Sequence, residues 1–157
     1  MYFWNTKALA HELSSNTLDK KHYKNYYLVT ALLVSVVYYY GMYSPYGDVR
    51  VIGVEGLLTL LIMFIGIQSA YKANGGDEGE HFLGRITALS FLILVQTTVA
   101  GVVFGALLLG LYFAFNLEGT AFDNWYEWTI SLFTIFLQIL FFTRLVSYMK
   151  RVKAHTI

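Results

Sequence analysis

The sequence contains no cysteine, a single proline and few charged residues. The shortages of cysteine and of charge each exclude several classes of protein. Of its 157 residues, 13% are charged and 57% hydrophobic, whereas soluble domains have about 25% charged and about 45–50% apolar residues. The lack of cysteine excludes disulfides, thiolate metal sites and cysteine catalysis. A net charge of +1 disfavours a nucleic-acid-binding protein, which needs a dense basic face. The composition indicates a membrane protein with the lipid bilayer as its first partner.

The hydrophobic residues are concentrated in four long stretches that are almost free of charge. A helix needs about 20 apolar residues to cross a hydrocarbon core about 30 Å thick. The sequence predicts spans at about 25–43, 51–71, 86–113 and 125–146. The two loops that follow the first and third spans are short, so neighbouring helices are expected to be antiparallel. The predicted fold is all-α and integral to the membrane, an antiparallel four-helix transmembrane bundle that forms one domain over residues 1–157.

An N-terminal arm, residues 1–24, precedes the first span, and a tail, residues 147–157, follows the last. The arm contains FWNTKALAHEL, residues 3–13, which has four apolar side chains that can serve as anchors. These are Phe3, Trp4, Leu9 and Leu13. The pattern predicts a short helix lying in the membrane interface, with a partly ordered arm as the alternative.

Lysine and arginine are distributed unequally between the two sides of these spans. Ten lie in or beside the arm, the second connection and the tail, and one, Arg50, lies on the other side. The ten are Lys7, Lys20, Lys21, Lys24, Lys72, Arg85, Arg144, Lys150, Arg151 and Lys153. Because basic loops remain in the cytoplasm, both termini and the second connection are predicted to be cytoplasmic. The opposite side is acidic, with Asp48, Glu55, Glu118, Asp123 and Glu127.

The second connection, KANGGDEGEHFLGR at 72–85, contains four glycines, three carboxylates and a histidine. Its acids would repel the anion of a phosphate loop, which also needs a nearby lysine. Asp77, Glu80 and His81 could hold a divalent ion weakly, but no second histidine or known ligand spacing supports a metal site. The stretch is best interpreted as a turn between two helices.

Each residue of this turn has an expected structural role. Asn74 and Gly75 suit the left-handed end of a helix, and Asp77 with Glu80 suits a capping box at the start of the next. Arg85 is expected to extend to the lipid headgroups. The exposed side chains form a candidate surface for a cytoplasmic partner: Asp77, Glu78, Glu80 and His81.

This turn and the FWNTKALAHEL segment resemble a group of small uncharacterised four-helix bacterial inner-membrane proteins. The resemblance extends over the N-terminal half of the chain as a pattern. It implies a bacterial inner (cytoplasmic) membrane location and no activity, so no functional residue is transferred.

Three polar residues inside the predicted spans are the places to look for function. Glu55 lies about 6 Å below the outer end of the second span, whereas Gln96 and Gln138 lie deeper and suit hydrogen bonds between helices. All four histidines lie outside the spans, which excludes a haem held by histidines within the bundle. No cofactor, metal or catalytic residue is predicted.

Small residues recur along one side of the third span. Thr97, Gly101 and Gly105 are four residues apart, and Gly110 belongs to a second such row. Small residues at this spacing let two helices approach closely in lipid, so the chain is expected to form a homo-oligomer.

Two functional classes remain. The first is a non-enzymatic membrane scaffold, sensor or accessory subunit that acts through oligomerisation and contacts with a cytoplasmic or membrane protein. The second is a small oligomeric cation channel or transporter that uses Glu55 and the acidic outer face. The first class is preferred because no charge lies at the centre of a predicted span.

Overall fold

A computed structural model describes residues 4–15, 17–18, 22–23, 25–26, 29–30, 34, 49–115 and 120–154. These residues contain four α-helices and no strand. The helices are α1 (Thr6–Ser14), α2 (Val49–Asn74), α3 (Phe82–Phe115) and α4 (Thr120–Ala154), and a short 3-10 helix, Gly76–Glu78, joins α2 to α3.

Helices α2, α3 and α4 are long and apolar enough to cross a membrane, over Arg50–Asn74, Phe82–Leu111 and Trp125–Ala154. This confirms long apolar helices at the second, third and fourth predicted spans. Each helix extends beyond its predicted range, and α4 includes most of the predicted tail. Most of the first predicted span, 25–43, lies outside the described residues; its five described positions, 25, 26, 29, 30 and 34, are helical.

The outward surfaces of these helices are apolar. Leu57, Phe64, Leu107 and Leu132 are each more than half exposed. Contiguous exposed apolar surface of this extent is unusual for soluble monomers, whereas hydrocarbon solvates it well. The surface is therefore compatible with a multi-pass membrane protein.

Helix α4 contacts each of the other three described helices. Gly101 of α3 lies opposite Leu137 of α4. Farther along α3, the Phe104 ring stacks on the Phe133 ring of α4, with the two ring centroids 3.7 Å apart. Chain position therefore rises along α3 as it falls along α4, and the two helices run in opposite directions.

Helix α2 lies against another side of α4. The Gln138 side chain donates to Thr59 Oγ1 at 3.0 Å, and farther along both helices Gly66 lies against the Phe142 ring. Chain position rises along both, so α2 and α4 run in the same direction. The α2–α3 pair makes few contacts.

The largest buried core lies at what we call the turn end, where α2 ends, α3 begins and α4 ends. Its side chains recur three or four positions apart on each helix, as expected for helix faces that meet. They include Ala70 and Ala73 of α2, Ala88, Leu89 and Leu92 of α3, and Leu145, Met149 and Val152 of α4.

Helix α1 completes this core. Its first turn is capped by Asn5, whose side chain accepts from the Ala8 backbone N–H at 3.0 Å. Leu9 and Leu13, expected at the lipid interface, are fully buried in the same cluster as residues of α3 and α4. The amphipathic pattern predicted the helix, but such a pattern does not show whether lipid or the rest of the protein covers the apolar face.

Candidate functional site at the turn end of the helices

The connection from α2 to α3 is a tight turn, as predicted, and its start depends on glycine. Gly75 has φ = 117° and Gly76 has φ = 62°, in the region that glycine adopts without steric cost. The Gly75 N–H donates to the Lys72 carbonyl at 3.1 Å. The prediction that Gly75 ends the helix in a left-handed conformation is confirmed, whereas Asn74 is the last residue of α2.

The predicted capping box is wrong because α3 begins later than the sequence pattern suggested. Asp77 and Glu78 belong to the 3-10 helix, and α3 begins only at Phe82. The Asp77 carboxylate instead accepts a hydrogen bond from the Tyr71 hydroxyl at 2.5 Å. His81, with φ = 54°, directly precedes α3, and its carbonyl accepts from the Arg85 N–H at 3.0 Å.

Arg85 lies inside the protein beneath this turn. Only 4% of it is exposed, so the prediction that it extends to the headgroups is wrong. Its Nη1 donates to Asn74 Oδ1 at 3.2 Å, and Asn74 Nδ2 donates to the Glu80 carbonyl at 3.2 Å. This chain of bonds joins the end of α2, the turn and the first part of α3.

The environment of Arg85 includes Tyr23 of the N-terminal arm. A Cβ added to Gly84 would lie 2.9 Å from Tyr23 Cε1, so the ring contacts the α3 backbone. Burial raises the pKa of the Tyr23 hydroxyl, and the positive charge of Arg85 opposes that rise. Within the described part of the chain, Arg85 Nε is buried without a hydrogen-bond partner. A buried cation with incomplete partners is costly to maintain, so a specific structural role is expected of it.

The predicted partner residues project from the opposite side of the turn. Asp77, Glu78, Glu80 and His81 are all exposed, and the neighbouring Leu83 is 76% exposed. In the described part of the chain, no three acidic or histidine side chains come close enough to hold a metal ion. The turn therefore offers an acidic surface next to an exposed apolar side chain.

The two glutamines that were predicted to lie deep in the spans connect helices. Gln138 joins α4 to Thr59 of α2, as described above. Gln96 Nε2 donates to the Trp4 carbonyl at 2.8 Å and to Thr6 Oγ1 at 3.2 Å, so it joins α3 to the start of the N-terminal helix. Glu55 lies six residues after Val49, about 9 Å along α2, and is partly exposed.

The small residues in the row on α3 differ in how closely other side chains approach them. Thr97 is buried, and its hydroxyl donates to the Ile93 carbonyl at 2.9 Å within its own helix. Gly101 is in ordinary contact with Leu137. Among the described residues, nothing lies within 4 Å of a Cβ added to Gly105 or Gly110.

A close contact between α2 and α4 involves a glycine that the sequence reasoning missed. A Cβ added to Gly66 of α2 would overlap the Phe142 ring of α4. The available signal was the spacing of Gly66 and Ala70, two small residues four positions apart, the pattern typical of close helix contacts.

No known protein family, curated protein or solved structure matches this chain.

Proposed function

We propose that the protein is a multi-pass protein of a bacterial inner membrane, with four antiparallel spans and both termini in the cytoplasm. In this arrangement the turn end faces the cytoplasm. The protein acts as a non-enzymatic scaffold, sensor or accessory subunit. Support comes from the three long apolar helices and from the ten-to-one distribution of basic residues.

The observation that carries this function is the fixed acidic turn. A buried hydrogen bond from Arg85 to Asn74 and a partly buried one from Asn74 to the Glu80 carbonyl hold the loop from beneath. Asp77, Glu78 and Glu80 remain exposed. A fixed loop loses little conformational entropy when a partner binds. With the exposed Leu83 as an apolar anchor and the acids as a polar rim, the turn has the composition of a protein interface, and its charge favours a basic partner segment.

The polar groups of the predicted spans support the same class. Gln96 and Gln138 hold helices together, and neither is a charged group that would bind or release an ion. A scaffold needs no charge in the centre of the membrane, whereas a transporter uses one.

Photo-crosslinking in cells tests the proposal. A photoreactive phenylalanine derivative placed at Leu83 is expected to give one discrete adduct with another protein. Replacing the three carboxylates (Asp77→Asn, Glu78→Gln, Glu80→Gln) should remove that adduct without lowering the amount of protein in the membrane.

A control variant neutralises two acids away from the turn, Glu55→Gln and Glu127→Gln, and should leave the adduct unchanged. An adduct that survives neutralisation of the turn, or the absence of any adduct at Leu83, would contradict a partner surface at this place.

The open side of α3 supports self-association as part of this function. Gly105 and Gly110 leave room for a neighbouring helix as far as the described residues extend. Cyclic homo-oligomers are the commonest assemblies of identical chains, so a second copy is the expected neighbour.

A cation channel or transporter is the second candidate, and Glu55 is the observation that favours it. Its carboxylate lies more than one helical turn inside α2 and is only partly exposed. A cation path along the acidic end of the helices would include this residue.

A further inference from the structure

A second polar site lies on the other side of the turn end, between α1 and α4. It is a pocket of about 220 Å³ lined by Lys7, Ala10 and His11 of α1 and by Tyr148 and Arg151 of α4. Liquid water occupies about 30 Å³ per molecule, so the pocket has room for a group much larger than water. The acidic turn does not contribute to its walls.

The lining of this pocket is basic. Lys7 and Arg151 contribute two positive charges, and His11 and the Tyr148 hydroxyl add hydrogen-bonding groups. No carboxylate is among the described lining residues. The Arg151 guanidinium lies over the Tyr148 ring, with Cζ 5.4 Å from the ring centroid, a stacking that holds the cation at the pocket wall. The chemistry of this donor set suits an anion with several acceptor oxygens, such as a phosphate.

The pocket depends on the docking of α1. Leu9 and Leu13 of α1 are buried in the core, and Gln96 fixes the start of the helix through Trp4 and Thr6. These contacts bring Lys7 and His11 to α4, whereas a helix lying apart in the membrane interface would leave Arg151 without them. The site therefore arises from tertiary packing.

We propose that this pocket binds the phosphate of an anionic phospholipid headgroup. The inference rests on the proposed membrane placement, in which the turn end lies at the cytoplasmic leaflet. Basic pockets between helices on that side are suited to anionic headgroups. On α4 the exposed apolar side chains begin at Leu140, eight residues before Tyr148 and about 12 Å along the helix, so the acyl chains lie along that surface while the phosphate enters the pocket.

Native mass spectrometry of the protein in a neutral detergent provides the test, with dioleoylphosphatidylglycerol as the probe. We expect one tightly bound phosphatidylglycerol per chain and binding at least tenfold weaker for dioleoylphosphatidylcholine. Lys7→Gln combined with Arg151→Gln should weaken phosphatidylglycerol binding roughly 30-fold, from the usual contribution of two basic side chains near an anionic surface. The control Lys72→Gln with Lys150→Gln removes the same charge outside the pocket, and its affinity should stay within about threefold of wild type.

Two further measurements distinguish a lipid phosphate from a free phosphate, and a failure of the pocket from a failure of the membrane placement. Glycerol phosphate that binds as tightly as the lipid would overturn the lipid assignment, as would equal effects of the two double variants. Flotation of wild-type protein with liposomes reports membrane placement independently. Normal flotation without selective phosphatidylglycerol binding contradicts only the pocket, whereas failure to float contradicts the membrane placement and the pocket together.

Discussion

Replacing Gly66 with alanine perturbs a close contact between α2 and α4. Alanine normally stabilises a helix relative to glycine by up to about 1 kcal/mol. At Gly66 the added methyl group would overlap the Phe142 ring, and forcing extra volume into a packed contact costs about 1–3 kcal/mol. We therefore expect Gly66→Ala to destabilise the protein by up to about 2 kcal/mol once the gain in helix propensity is subtracted.

Gly56→Ala is the matched control on the same helix, because nothing described lies within 4 Å of a Cβ at that position. This variant should be neutral or slightly more stable than wild type. Unfolding can be followed by circular dichroism during titration of detergent micelles with sodium dodecyl sulfate.

A double-mutant cycle then isolates the contact between Gly66 and Phe142. If the ring is the cause, Phe142→Ala should remove most of the penalty of Gly66→Ala, with a coupling free energy of about 1 kcal/mol or more. Equal stabilities for Gly66→Ala and Gly56→Ala, or no coupling to Phe142, would refute the described packing of α2 on α4.

Three further predictions concern the polar and small residues of the helices. Thr59→Val and Gln138→Leu should show a coupling free energy of about 0.6 kcal/mol in the same unfolding assay, and strictly additive effects would contradict the hydrogen bond between them. Gly105→Leu should shift an oligomer towards monomer on size exclusion in detergent with unchanged helix content; a monomeric wild type or an unaffected oligomer would contradict self-association through α3. If the second candidate function holds, Glu55→Gln should abolish cation flux into liposomes, and unchanged flux would remove Glu55 from the site.

Hydrophobic runs predicted the long helices because about 20 consecutive apolar residues leave few alternatives. The turn was also predictable in outline, since Gly75 follows the last apolar residues of α2 and readily adopts a positive φ. Its details were not, because the hydrogen bonds of Tyr71 with Asp77 and of Arg85 with Asn74 cannot be read from the local capping pattern.

The burial of Arg85 and the docking of α1 depend on contacts that are distant in the chain. Gln96 binds Thr6 across 90 positions of sequence, and no local periodicity reports such a partner. Gly66 differs from these, because its spacing to Ala70 was visible but gave no indication of the aromatic ring on α4. Tertiary packing therefore determined most of the candidate site.

The placement of the turn end on the cytoplasmic side is the claim on which the partner surface depends, and cysteine labelling tests it most directly. The chain contains no cysteine, so a single introduced thiol gives a signal without background. Glu78→Cys should react with a membrane-impermeant maleimide only after the inner membrane is permeabilised, whereas Trp125→Cys, at the opposite end of the helices, should react in cells with an intact inner membrane. Labelling of Glu78→Cys in intact cells, with Trp125→Cys protected, would contradict the account.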